Sequence, residues 1–162
     1  MSDTADRTDE WQQLRAKYLD EPDDRPSSTG RGVHHVALLC ADVSRTIDFY
    51  QGVLGFPLTE LFENRDYPGS THFFFDIGNG NALAFFDFPR LGLADYAEVL
   101  GGLHHLAISV TADVWEEKKA ALDAAGVDTQ IVQTSMYFND PDGTRVELIA
   151  DPLGEMYGNK VM

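Results

Sequence analysis

Two hexapeptides of this 162-residue chain are near copies of each other. Gly32-Val33-His34-His35-Val36-Ala37 returns 70 residues later as Gly102-Leu103-His104-His105-Leu106-Ala107, and the pair holds four of the five histidines. Self-similarity at a fixed offset marks one supersecondary unit used twice. It also points to two imidazoles converging between the halves, which makes a metal site the first functional hypothesis.

The text around each copy predicts the same order of elements. In the first half Val33–Cys40 reads as a strand. A helix with an apolar stripe of Ile47, Tyr50 and Leu54 follows, capped by Asp42 or Ser44 and stopped at Gly55. Strands are expected over Phe56–Phe62, Ser70–Asp76 and Asn81–Phe88. In the second half Leu103–Val110 is a strand, and Asp113 to Glu116 has the spacing of a capping box for a helix ending at Gly126. Short strands near Asp128–Gln133 and Ser135–Phe138, a tight turn at Asp140-Pro141-Asp142-Gly143 and a last strand over Thr144–Ala150 complete it.

Both halves therefore read βαβββ. The predicted organisation is an N-terminal extension over 1–30 (a short helix carrying Trp11, Leu14 and Tyr18, then a Pro-rich linker), a first unit over 31–90, a connector and second unit over 91–152, and a tail over 153–162.

A formal charge of −15 disfavours nucleic acid and anionic membranes, both of which need Lys and Arg to neutralise phosphate. The single cysteine, Cys40, excludes an intrachain disulfide and fits a reducing compartment. The acidic N-terminal stretch shows no signal-peptide pattern, so the expected location is cytoplasmic.

Strand periodicity decides which histidine of each pair faces where. Leu106, Ile108 and Val110 share the face that packs on the helix, while His105, Ala107 and Ser109 share a small, polar one. Val36 and Leu38 oppose His35 and Ala37 in the same way. His35 and His105 are thus candidate ligands, and His34 and His104 read as structural or rim residues. Glu147 alternates with Val146 and Leu148, which puts a carboxylate on the non-core face of an apolar strand. Burial there is expensive unless the carboxylate is paired or metal-bound. Two imidazoles and one carboxylate form the facial set of non-heme Fe(II) oxygenases, and the same ligands accept Mn, Zn, Ni or Co. Each residue alone has an ordinary explanation, as a satisfied core histidine or an ion-paired glutamate; the duplicated context and shared face set them apart. Of Phe73, Phe74, Phe75, Phe85, Phe86 and Phe88, alternation sends about half to the core.

The repeated unit, the stretch HHVALLCADVSRTIDFYQGVLGF and the stretch YFNDPDGTRVELIADP resemble the vicinal oxygen chelate superfamily over about residues 32–152. That superfamily includes glyoxalase I, extradiol dioxygenases, fosfomycin-resistance thiol transferases and metal-free bleomycin-binding proteins. The resemblance implies an α+β fold in which two tandem βαβββ units form a curved mixed sheet around a metal-binding cleft. It implies one divalent metal on His35, His105 and Glu147, with Fe(II) or Mn(II) favoured. The family's fourth ligand position falls on Ala84, which favours the three-ligand extradiol-like and fosfomycin-transferase-like branches.

Tyr137, ahead of Asn139-Asp140-Pro141-Asp142-Gly143 and Glu147, resembles the extradiol tyrosine that binds a catecholate oxygen. The histidine of that signature is absent after His105, where Asp128, Thr129 and Gln130 stand, and His72 is the candidate substitute by position. The expected function is a dioxygenase-like enzyme chelating vicinal oxygens of a small substrate, as a homodimer. The alternatives are a glyoxalase-like lyase or isomerase, a thiol transferase, or a metal-free binding protein.

Overall fold

A computed structural model describes residues 6–162; the first five residues of the expected extension lie outside the described residues. Contacts divide the chain into residues 1–32 and 33–162. The first unit carries helix α1 (Thr8–Tyr18), whose residues are all exposed, and a 3-10 turn at Pro22–Asp24. No helix among the described residues is long and apolar enough to cross a membrane.

In the second unit the first half runs β1 (His35–Cys40), α2 (Val43–Ile47), β2 (Leu58–Glu63), β3 (Thr71–Asp76) and β4 (Ala82–Asp87). Asp42 caps α2 by accepting from the Arg45 N–H at 2.8 Å. The helix widens into a π-helical stretch, Asp48–Val53, and stops at Gly55, whose φ of +69° suits a residue without a Cβ.

The second half runs β5 (Leu106–Ser109), α3 (Ala112–Ala124), β6 (Gln130–Val132), β7 (Ser135–Asn139) and β8 (Arg145–Ile149). Two expectations are corrected here. The cap of α3 is Thr111, accepting from the Val114 N–H at 3.5 Å, rather than a box opened at Asp113. The strand expected from Leu103 starts only at Leu106, because the Tyr96 hydroxyl donates to the Leu103 carbonyl and sits 3.3 Å from that of His104, which draws this stretch away from strand pairing. The tail holds a small hairpin, β9 (Glu155–Met156) and β10 (Asn159–Lys160).

The strands form two four-stranded mixed sheets of identical topology, β1-β4-β3-β2 and β5-β8-β7-β6. β1 runs parallel to β4 and β5 parallel to β8; the remaining pairs are antiparallel. Alternation places Leu83, Phe73, Phe75 and Phe85 at 0% exposure on one face of the first sheet, with Phe74 and Phe86 half-buried on the other. Met136, Val146 and Leu148 do the same in the second sheet, where Trp115 Nε1 donates to the Leu148 carbonyl at 3.1 Å. β1, which begins at His35, and β5, which His105 directly precedes, each lie at a sheet edge, with one hydrogen-bonded neighbour.

The halves pack through the helical layer of the first against the 139–144 turn of the second. Phe49 meets Phe138 with ring centroids 6.1 Å apart, Arg45 pairs with Asp142 at 2.6 Å, and the buried Tyr50 hydroxyl donates to Asp140 Oδ2 at 3.0 Å. Asp140 Oδ1 meanwhile accepts from the backbone N–H groups of Asp142 and Thr144, which holds the turn.

Burial pushes the Asp140 carboxyl above the usual carboxylate range. A raised folded-state value gives a contribution to stability that is complete below the unfolded value and is lost as pH rises through the folded one. Tyr50→Phe removes the only side-chain donor that the described residues give to a buried Oδ2. It should therefore cost about 1–3 kcal/mol in urea unfolding at pH 7, and less at an acidic pH low enough to protonate the carboxyl. An equal cost at both pH values would show that packing, not this hydrogen bond, is what Tyr50 supplies.

Candidate metal centre

The parallel ladder between β5 and β8 sets Ala107 opposite Glu147, and the antiparallel ladder between β8 and β7 sets Tyr137 opposite Glu147. His105 directly precedes β5 on the same face as Ala107. These registers bring three of the predicted residues together. His105 Nε2 lies 2.9 Å from Glu147 Oε2, and the Tyr137 ring stands edge-on to the His105 ring at 5.8 Å. Arg145 sits over the Tyr137 ring at 4.8 Å.

Glu147 is 1% exposed, and its two oxygens are treated differently. Oε1 accepts from the Ser135 hydroxyl. Oε2, despite its closeness to His105, has no aligned hydrogen bond from any described residue. A buried carboxylate oxygen without a donor costs several kcal/mol by itself. An imidazole nitrogen and a carboxylate oxygen that approach without a hydrogen bond between them have the arrangement of two ligands facing a common cation. The donor set, N plus O, fits a first-row divalent metal. Among the described residues, however, no group of three His, Cys, Asp or Glu side chains comes together to hold one.

His35 and His72 belong to the other sheet. The first half repeats the register of the second, with Ala37 opposite Ala84 and Phe74 opposite Ala84. Ala84 therefore stands where the second half has Glu147, Phe74 where it has Tyr137, and His72 where it has Ser135. His35 is exposed and meets Phe74 edge-on at 6.1 Å. The two double-histidine pairs share a conformation: Nδ1 to Nδ1 is 2.9 Å between His34 and His35 and 2.7 Å between His104 and His105.

His72 stacks on Phe86 at 3.9 Å and lies 4.3 Å from Phe74 and 5.3 Å from Phe62, centroid to centroid. Its Nε2 is buried without a hydrogen-bond partner among the described residues, and burial, with the nearby His35, lowers its pKa below the ordinary histidine value. Burial first, and then the neighbouring Tyr157 hydroxyl, push the Tyr137 phenol up to about 12, so it keeps its proton throughout the physiological range.

Ser135 and Tyr157 were not legible as site residues. Aligning the repeats through the Tyr137–Phe74 equivalence would have singled out Ser135; only the placement of the tail hairpin reveals Tyr157. Two cavities flank the centre rather than contain it. One of about 540 Å³ is bordered by Tyr137, Arg145, Tyr96 and Asp128; the other, of about 1120 Å³, runs along β1, residues 88–96 and the 139–144 turn. Neither touches His105 or Glu147.

Comparison with known proteins gives relatives consistent with this geometry. "Putative ring-cleaving dioxygenase MhqA" of Bacillus subtilis (strain 168) is 30% identical over 136 residues, covering 78% of this chain. The chain spans only 42% of that protein's length. "Uncharacterized protein YaeR" of Escherichia coli (strain K12) is 31% identical over 126 residues, with 72% of this chain and 93% of that protein covered. In fold, the chain superposes with a TM-score of 0.60 at 21% identity on a mutant of the fosfomycin resistance protein FosX from Listeria monocytogenes, over 77% of this chain and 96% of that one. That structure contains Mn(II) and 1S,2S-dihydroxypropylphosphonic acid. Residues 32–148, both repeats together, match the family profile as a continuous stretch, and the chain belongs to the Glyoxalase/Bleomycin resistance protein/Dioxygenase superfamily.

Proposed function

We propose that the chain is a metal-dependent enzyme of the dioxygenase-like branch, holding one Fe(II) or Mn(II) on His35, His105 and Glu147 and acting on a small substrate with vicinal oxygens. The observation that carries this reading is the buried Glu147 Oε2, set 2.9 Å from His105 Nε2 with no aligned hydrogen-bond donor among the described residues. The name of the MhqA relative supports ring cleavage as the chemistry.

The third ligand comes, in this proposal, from a second copy. Supporting it, β1 and β5 both end their sheets with a free edge, and His35 and His105 lie on the non-core faces of the two sheets. An unpaired edge is a template for another chain. Joining β1 of one copy to β5 of another would place both imidazoles on one side of one seam. Leu39 of β1 is more than two-fifths exposed, an apolar side chain beside that edge which such a partner would cover.

Such an ion, when bound, supplies Lewis acidity toward two neighbouring substrate oxygens and, as Fe(II) or Mn(II), electron transfer to dioxygen. The protein's own groups do the rest. Tyr137, protonated at neutral pH, donates a hydrogen bond to a substrate oxygen beside His105. His72, neutral near pH 7, offers one ring nitrogen as proton acceptor for a substrate hydroxyl. Phe62, Phe74 and Phe86 around it give a flat apolar wall for an aromatic ring and exclude water.

The test is metal content after anaerobic purification, followed by oxygen uptake with a panel of catechols and hydroquinones. About one iron or manganese per site, with substrate-dependent oxygen consumption, is the expected result. Metal-dependent turnover without oxygen would move the assignment to lyase or thiol-transferase chemistry. A protein that takes up no metal would leave a binding protein.

A further inference from the structure

The tail hairpin reaches the metal centre through one side chain. Ser135 donates its single hydroxyl proton to Glu147 Oε1 and lies 3.1 Å from the Tyr157 hydroxyl. A serine hydroxyl has one proton to give. With that proton committed to the carboxylate, the second contact must run the other way, with Tyr157 donating to Ser135 Oγ. The chain of donors is therefore directed, from Tyr157 to Ser135 to Glu147.

Tyr157 occupies a conformation that aromatic residues avoid. Its φ is +51°, and Gly158 follows at +79°, so the β9–β10 turn needs positive φ at both central positions. Asn or Asp followed by Gly is the usual sequence for that geometry. Gly158 satisfies it, whereas a bulky side chain at 157 is strained. The turn is nevertheless tied down: the Tyr157 N–H donates to the Asp151 carboxylate, and the Asp151 carbonyl accepts from Ser109 Oγ at 2.6 Å. The first half has no counterpart, since Ala84 replaces the carboxylate and His72 replaces the serine. The hairpin also lies beyond residue 148, where the match to the family ends.

We propose that Tyr157 is a positioning residue that, through Ser135, fixes Glu147 Oε1 so that only Oε2 is presented to a divalent metal. This rests on the metal-centre reading above. Outer partners of this kind hold a ligand's orientation, and their loss typically weakens metal binding by about 10–100-fold.

The experiment measures Mn(II) affinity of the full chain by calorimetry at constant pH, with metal-free melting temperatures recorded alongside. Tyr157→Phe, which removes one oxygen and keeps the ring, should weaken Mn(II) binding by about tenfold, and Ser135→Ala by about 10–100-fold. Ser135→Thr should restore it, and the metal-free melting temperature of Tyr157→Phe should match the parent's. Parental affinity in Tyr157→Phe would overturn the relay while leaving the metal centre standing. A loss of affinity matched by a loss of metal-free stability would overturn it too, by showing that the hydroxyl only holds the fold. A parent chain that binds no Mn(II) would overturn the metal centre and the relay together.

Discussion

Glu147→Gln should lower divalent-metal affinity by on the order of 10³-fold and bring metal-dependent turnover to background, with the fold intact. The substitution is chosen for its small steric effect. Gln keeps the volume of a side chain 1% exposed, and its carbonyl oxygen can still accept the Ser135 hydroxyl at the Oε1 position. What it loses is the charged oxygen at Oε2, the atom set 2.9 Å from His105. The metal-free variant should melt at or above the parent's temperature, because a buried carboxylate whose Oε2 accepts no hydrogen bond from the described residues has been replaced by a neutral amide. Equilibrium dialysis with Mn(II) and a thermal melt of the same sample read both effects. Tight stoichiometric metal in Glu147→Gln would remove Glu147 from the ligand set.

The second large effect concerns where the third ligand comes from. His35→Ala and Glu147→Ala chains should each bind no metal tightly. Co-refolded in equal amounts, they should recover about a quarter of the parental metal content, since half of the randomly formed dimers are mixed and each mixed dimer has one undamaged site of two. A site assembled within one chain gives a different answer: every chain in the mixture carries a damaged set, and nothing returns. The structure motivates the experiment by keeping His35 and His105 on separate sheets, with no third ligand beside His105 and Glu147 among the described residues.

The repeat made the two sheets readable in advance because alternation in β1 and β5 is strong and the turns at Gly55 and Asp140–Gly143 carry their own chemistry. The same alternation made Glu147 stand out as a charge within an apolar strand and put it on the His105 face. The limits were equally physical. Periodicity shows which face a histidine takes but not which copy of the repeat meets which, so the separation of His35 from His105 had no signature in the chain. The shortening of β5 depends on Tyr96, a connector residue whose partners are set by tertiary contact. Tyr157 was hidden for another reason. Its role comes from an unfavourable backbone state, and local propensity argues against a tyrosine in that turn.

That Ala84 stands where its twin strand has Glu147 gives the two halves unequal shares in any centre they build. The first half contributes at most an imidazole, the second an imidazole and a carboxylate. A divalent ion coordinated by such a set keeps a net charge of +1, where a set with a second carboxylate would cancel it. The residual charge favours substrates that arrive as, or become, oxyanions. In a chain with a formal charge of −15, such an ion would offer an anionic ligand attraction over short range against the overall negative field.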